Sequence, residues 1–548
     1  MDYFWQLPGQ TKNKMMKKHL IIILLFFLFI STINGADKYP RSNSVDIVHY
    51  SFSIYLSDSS DLIRGEANIR ILHTGATGII ELDLASLDKE GLGMIVEQVM
   101  LGDDTVKWYH EGNRLAISPL ETKRAGETSR LVVKYYGVPR DGLIISKNRY
   151  GDRTFFADNW PDRASNWIPC VDHPSDKATV EFIVYSPVQY SVVSNGYLFE
   201  ESILPEGIKL THWKEDVSIP TKVMVIGVAR FAKQLSGVAG GTEIWSWVFP
   251  EDREAGFLDY SPAIRPFVYF SEKMGAYSYE KLANVQSKTM FGGMENAGCI
   301  FYSERSVTGR QEAERLLAHE IAHQWFGNSV TEGDWHHVWL SEGFATYLTS
   351  CYMASEYGEE RMQDDMQRAR SRVISAYRRS PAPVIDTTVT EFMRLLNANS
   401  YQKGAWVLHM LRSEIGDSEF NDGIRIYYNR YRNRTALTRD FKEVMEEVSG
   451  KDLSRFFDQW LIRPELPLLS ISWTNVNRRG EATVTINQLQ SGYLFDIPLE
   501  VEIITEGGSE SHQFRLEQAS QSFVIRTGGK IVSVNPDPNV KLLFMTDD

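Results

Sequence analysis

The chain has 548 residues, 43% hydrophobic and 12% aromatic, which is enough material for about three to four domains and too rich in aromatics for a disordered chain. Its formal net charge of −13 argues against a nucleic-acid partner, because phosphate binding needs a basic face. Three cysteines, Cys170, Cys299 and Cys351, are too few for a disulfide framework and lack zinc-knuckle spacing, so they read as buried residues without a catalytic role.

Lys12, Lys14, Lys17 and Lys18 precede an apolar run from Leu20 to Ile30, and small residues follow at Gly35 and Ala36. A basic stretch, a short apolar core and a small-residue end predict a secretory signal over residues 1–36. Export to the outside of the cell or to a periplasm is the expectation, with an uncleaved membrane anchor as the alternative.

Residues 37–232 read as an N-terminal antiparallel β domain. Tyr50, Phe52, Ile54 and Leu56 alternate with Ser51, Ser53 and Tyr55, the period of a half-buried strand. Similar short runs follow at Ala67–Ile71 and Leu131–Tyr135, punctuated by turn residues. From 233 to 463 the pattern changes to amphipathic helices, predicted over Glu312–Phe326, Glu342–Tyr357, Glu360–Tyr377 and Tyr401–Ile415, with two shorter ones within Asp440–Trp460. Pro464 and Pro467 mark a junction, after which residues 464–548 return to short strands and predict a small β-sandwich. The fold class is therefore multidomain α+β, with a mainly helical central domain.

The central helices carry the chemistry. His319-Glu320-Ile321-Ala322-His323 is an H-E-x-x-H motif. Thr308, with Gln311 three residues on, has the form of a capping box for its helix, and Gly327-Asn328 of a terminator. Histidines four apart share one helical face, so both imidazoles reach one metal. Glu342, at the start of the next helix, can supply a third ligand. Two histidines and a glutamate leave zinc an open fourth position, the arrangement in which the metal activates a water. Glu320 sits beside the first ligand and suits a general base.

Read with its surroundings, this region resembles the M1 family of zinc aminopeptidases. The resemblance rests on His319–Glu342 with eighteen residues between His323 and Glu342, on Trp325–Asn328, and on Trp339-Leu340-Ser341-Glu342-Gly343-Phe344-Ala345. Upstream, Gly292-Gly293-Met294-Glu295-Asn296 is similar to the family's G-x-M-E-N exopeptidase motif. Asp46–Tyr50 and Pro169–Pro174 resemble its first strand and its P-C-x-D-x-P segment, and the order of domains matches a short three-domain form. The resemblance implies one zinc ion per chain held by His319, His323 and Glu342. It implies substrate binding by Gly292, Gly293, Met294 and Glu295, with Glu295 anchoring the free α-ammonium of a peptide. It also implies that Tyr401 stabilises the oxyanion, a role that neither composition nor spacing assigns among 25 tyrosines. Where many members place a second amine-binding Glu or Gln, this chain has Trp160, with Asp158 two residues before it as a possible substitute. The expected activity is hydrolysis of the N-terminal residue from peptides. The alternatives are hydrolysis of a lipid epoxide at the same zinc and an inactive binding protein on the same fold.

Overall fold

In a computed structural model of the chain, residues 37–476 and 481–547 are described. The expected signal segment, residues 1–36, lies outside them. Among the described residues no helix is long and apolar enough to cross a membrane. Tyr39–Asp548 form one compact unit.

The alternating residues near position 50 lie on the strand Val45–Tyr55, where Tyr50, Phe52 and Ile54 are fully buried. This strand sits inside an eight-stranded sheet. One neighbour, Ile63–His73, is antiparallel, as expected for an adjacent segment. The other, Lys177–Pro187, runs parallel to it, with Phe52 opposite Phe182. The sheet is thus mixed and not wholly antiparallel. Local turn residues encode hairpins, whereas a parallel partner more than a hundred residues away leaves no local mark.

The central region opens with a five-stranded sheet that its helical periodicity did not announce. In spatial order its strands are Ala232–Ala239, Thr242–Val248, Lys281–Ser287, Cys299–Ser303 and Gly293–Met294. Lys281–Ser287 is buried at every position and pairs in parallel with both neighbours. A strand covered on both faces has no polar alternation to betray it. The two-residue strand Gly293–Met294 forms the edge, pairing antiparallel with Tyr302 and Phe301.

Helices then pack against this sheet: Glu314–Ala322, Trp339–Tyr357, Glu359–Arg379, Gly404–Ile415 and Asp417–Tyr431. The first of these starts later than the capping-box reading places it. Thr308, Gly309 and Gln311 instead donate their backbone amides to the buried Asp259 carboxylate, at 2.5, 2.6 and 2.6 Å. A remote carboxylate therefore holds the turn before the helix, and Gln311 takes a left-handed φ of 56° there.

Residues beyond Pro467 form a four-stranded and a three-stranded sheet. Val484 and Ile486 from one and Leu499, Val501 and Ile503 from the other are buried in one apolar core, which is continuous with the core of the helices. Cys170 and Cys299 are buried and Cys351 partly so, all as free thiols.

Candidate metal centre and active site

His319 lies in the last turn of Glu314–Ala322, and His323 caps that helix. Both side chains point at the first turn of Trp339–Tyr357, which carries Glu342. The Nε2 atoms of the two histidines are 3.2 Å apart, and Glu342 Oε2 is 3.5 Å from His319 Nε2 and 3.3 Å from His323 Nε2. Tetrahedral zinc with bonds of about 2.0–2.1 Å needs its ligand atoms about 3.3 Å apart. The three donors therefore fit a zinc ion without rearrangement. Glu342 Oε2 is buried and has no hydrogen-bond partner among the described residues, as suits a metal ligand. The far nitrogen of the His323 ring, Nδ1, is 3.2 Å from the Phe326 carbonyl and 3.1 Å from Ser341 Oγ, contacts that fix the ring's orientation.

A close backbone contact brings the Glu342 helix to the segment bearing Tyr401. A Cβ on Gly343 would lie 3.0 Å from the Gly404 backbone. A methyl group there would press on that backbone, so glycine favours the approach. Tyr401 sits in a π-turn, Asn399–Lys403, that precedes the helix Gly404–Ile415. The sequence pattern reads the two as one regular helix; the wider turn is a local irregularity of a kind found often at functional sites. The Tyr401 ring lies 6.1 Å from the His319 ring, nearly parallel to it. Burial raises its phenol well above the ordinary range, and Glu342, Glu295 and Glu320 add to the effect, so it keeps its proton to donate.

Glu320 and Glu295 complete the centre. Carboxylate oxygens of both lie within 4.8 Å of a ring nitrogen of His323 and of each other. Burial pushes Glu320 well above the usual carboxylate range; His323 opposes this, and Glu295 and Glu342 reinforce it. Burial also lowers His319. At His323 burial is outweighed by Glu342, Glu295 and Glu320, which push it up to about 10. Burial likewise disfavours charge on Glu342, yet the histidines hold it below the ordinary range. A divalent cation among the donors favours neutral histidines and an ionised Glu342.

Two side chains that the sequence reading left without a role fasten Glu295. Gln324 Nε2 and Asn328 Nδ2 donate to the Glu295 carbonyl at 2.9 and 2.5 Å, and Gln324 Oε1 accepts from the Gly298 amide at 2.9 Å. Asn195 of the N-terminal sheet region donates to the Ala297 carbonyl at 2.8 Å. The end of the histidine helix thus holds the Glu295 loop in register with the metal donors. Both residues lie in the Trp325–Asn328 neighbourhood, but nothing in their type or spacing signals this partnership.

Asp158 is not an amine anchor. It is fully buried and accepts from Arg163 Nη2 at 2.7 Å, Thr289 Oγ1 at 3.0 Å and the Met290 amide at 3.1 Å. Its carboxylate instead pins the loop leading into Gly292. Trp160 does face the site, and with Gly292, Gly293, Met294, Glu295, His319, Glu320, His323, Glu342 and Tyr401 it lines a cavity of about 260 Å³. A larger cavity of about 490 Å³ lies between the helices and the C-terminal sheets. Its charges are paired internally, Arg515 with Glu414 and Asp496 and Lys541 with Glu500, so size alone does not locate the chemistry.

Residues 262–460 match the family model of the peptidase family M1 domain, and residues 47–223 match that of the peptidase M1 N-terminal domain. The chain belongs to peptidase family M1. It is 27% identical over 392 residues to probable aminopeptidase 2 of Sulfurisphaera tokodaii, covering 68% of this chain and 49% of that protein. Against glutamyl aminopeptidase of Sus scrofa it is 26% identical over 409 residues, covering 69% and 43%. The chain thus spans about half the length of the curated relatives it matches. Two crystal structures share its fold. One is an M1 zinc metallopeptidase mutant from Deinococcus radiodurans, with a TM-score of 0.66 and 24% identity, covering 79% of this chain and 98% of that one. The other is Legionella pneumophila aminopeptidase A in complex with aspartic acid, with a TM-score of 0.81 and 16% identity, covering 94% and 61%.

Proposed function

We propose that this M1 peptidase is a zinc aminopeptidase, which removes the N-terminal residue from peptides with a free amino terminus. The observation that carries this reading is Glu295: the residue is 5% exposed, and its Oε1 has no hydrogen-bond partner among the described residues. An unpaired buried carboxylate beside a metal site calls for a cation, and the α-ammonium of a peptide supplies one with charge-assisted hydrogen bonds. The related aminopeptidases support the same activity.

His319, His323 and Glu342 would hold the zinc, which supplies Lewis acidity towards the scissile carbonyl and lowers the pKa of a water. The edge strand Gly293–Met294 offers its free backbone groups to an extended substrate, which would add as a further strand. Glu295 takes the ammonium and so sets which peptide bond is presented. Glu320 accepts a proton from the attacking water and passes it to the departing amine, a task suited to a carboxylate raised by burial. Tyr401 donates its hydroxyl proton as a hydrogen bond to the developing oxyanion. No feature of the described residues favours the lipid-epoxide or inactive-protein alternatives.

N-acetylated peptides are expected to be refused, because acetylation removes the charge that Glu295 binds. Glu295→Gln is expected to lower kcat/KM on free peptides by about a hundredfold, as for loss of one partner from a buried charge pair. Equal cleavage of blocked and free peptides, followed by mass spectrometry, would overturn the exopeptidase reading.

Gly293 gives a second test. A Cβ there would lie 2.4 Å from Glu320 Oε1. The clash continues to Glu320 Cδ at 2.5 Å and Cγ at 2.6 Å, so the whole side chain must turn and leave its working position. Gly293→Ala is therefore expected to reduce kcat about a hundredfold at unchanged zinc content, consistent with displacement of a general base. A wild-type rate would show that Glu320 does not act from this position.

Export through the N-terminal segment is proposed on the strength of the lysine cluster and the apolar run that follows it. N-terminal sequencing of the mature protein should find a new terminus near Ala36. Retention of the initial residues on a membrane-bound protein would favour the anchor instead.

A further inference from the structure

Two unlike kinds of residue line the cavity beside the metal donors. Glu295, Glu320, Glu342 and the histidines are polar, whereas Trp160, Phe291, Leu316 and Leu396 are apolar. Among the described residues no lysine or arginine lines it.

Trp160 and Phe291 form an aromatic wall backed by further rings. The Trp160 ring meets Phe291 edge-on at 6.3 Å and Trp335 at 5.4 Å, and Trp335 stacks on Phe392 at 5.4 Å. Trp160 comes from the N-terminal β region and Phe291 from the loop before the edge strand. Asp158 ties those two segments together through Thr289 and the Met290 amide. Lys222 lies over the Trp335 ring at 5.5 Å, with its charge paired to Glu332. Arg163 lies against the Phe291 ring at 5.9 Å. Each nitrogen of Arg163 already donates: Nε to the Trp160 carbonyl, Nη1 to Asp141 and Nη2 to Asp158. It has no bidentate face to offer a substrate carboxylate.

We infer that this pocket receives the side chain of the first substrate residue, accepts apolar and aromatic ones such as leucine, methionine and phenylalanine, and rejects acidic ones. The inference rests on the aminopeptidase reading, which places the first residue next to Glu295. An acidic side chain there loses its hydration against aromatic rings, finds no free cation and faces three carboxylates. A basic side chain fares little better, because those carboxylates serve the ammonium, the proton transfer and the metal. An apolar side chain gains from leaving water and disturbs none of these groups.

The test uses the full-length, zinc-loaded protein and fluorogenic amides of Leu, Phe, Ala, Glu and Lys. The Leu and Phe amides are expected to exceed the Glu amide in kcat/KM by about a hundredfold or more. Phe291→Ala is expected to lower the ratio of Phe-amide to Ala-amide turnover by about tenfold. Calorimetry on free leucine and free glutamate supplies a readout that does not depend on turnover, with leucine binding more tightly. A Glu or Lys amide cleaved as well as the Leu amide, or glutamate bound as tightly as leucine, overturns the inference while leaving an aminopeptidase in place. Cleavage of none of the amides overturns the aminopeptidase reading, and the binding comparison then still decides the character of the pocket.

Discussion

Replacing Glu320 with glutamine is expected to lower kcat by about 10²–10⁴-fold, the usual contribution of a positioned acid–base group. The substitution nearly preserves shape and removes only the ability to take and give a proton. Burial already disfavours the charged form of Glu320, so a neutral amide is tolerated where it stands. None of the three metal donors is altered, so the zinc content should remain at one ion per chain. The informative measurement pairs kcat with metal analysis on the same preparation. A large loss of kcat with full metal occupancy supports the proton-transfer role. A rate within tenfold of wild type would remove Glu320 from the mechanism, whatever its position.

Withdrawing the metal should have a still larger effect, because it acts on the reaction and on the fold together. Chelation is expected to abolish activity and to lower Tm, and added zinc to restore both. The physical reason lies in what remains. Two histidine nitrogens and Glu342 Oε2 would face one another at 3.2–3.5 Å with no cation between them. Glu295 and Glu320 are close by, so the emptied centre is a buried concentration of carboxylates. Binding linkage supplies about 3–4 kcal/mol when free zinc exceeds its Kd by two to three orders of magnitude, and that stabilisation is lost on chelation. Differential scanning calorimetry with and without chelator reads this directly. A chelated protein with unchanged Tm and undiminished activity would rule out zinc as the working cofactor.

The two effects separate the parts of the site. Glu320→Gln removes chemistry and spares the metal, whereas chelation removes the metal and leaves Glu320 intact. Gly293→Ala occupies a third position, since it leaves every functional group present and displaces one of them. If all three behaved alike in Tm as well as in rate, the assignment of separate roles to metal and base would fail.

Much of this centre was legible from the residues in order. Histidines four apart need only a helix to face one point, and a helix is a local structure. The need of catalytic zinc for three ligands then pointed to a carboxylate beyond the motif. The strand near Tyr50 and the helix around His319 follow from periodicity in the same way, because burial on one face leaves a repeating pattern. What remained illegible depends on segments that meet only in three dimensions. The parallel pairing of Val45–Tyr55 with Lys177–Pro187, the Asp259 turn before the histidine helix and the doubly covered strand Lys281–Ser287 all have partners distant in sequence.

The same division runs through the site itself. The chain's order of residues by itself determined the metal-binding chemistry, because His319, Glu320 and His323 share one helical turn and their relation needs no other element. Only the tertiary structure decided how the rest converges. The Gly343–Gly404 contact brings Tyr401 beside the donors, Gln324 and Asn328 lock the Glu295 loop, and Asp158 leaves the amine site to serve as a clamp behind Trp160 and Phe291. Spacing along a helix is set by backbone geometry, whereas the approach of two glycine backbones or the choice of a buried carboxylate's partner is set by how whole segments pack.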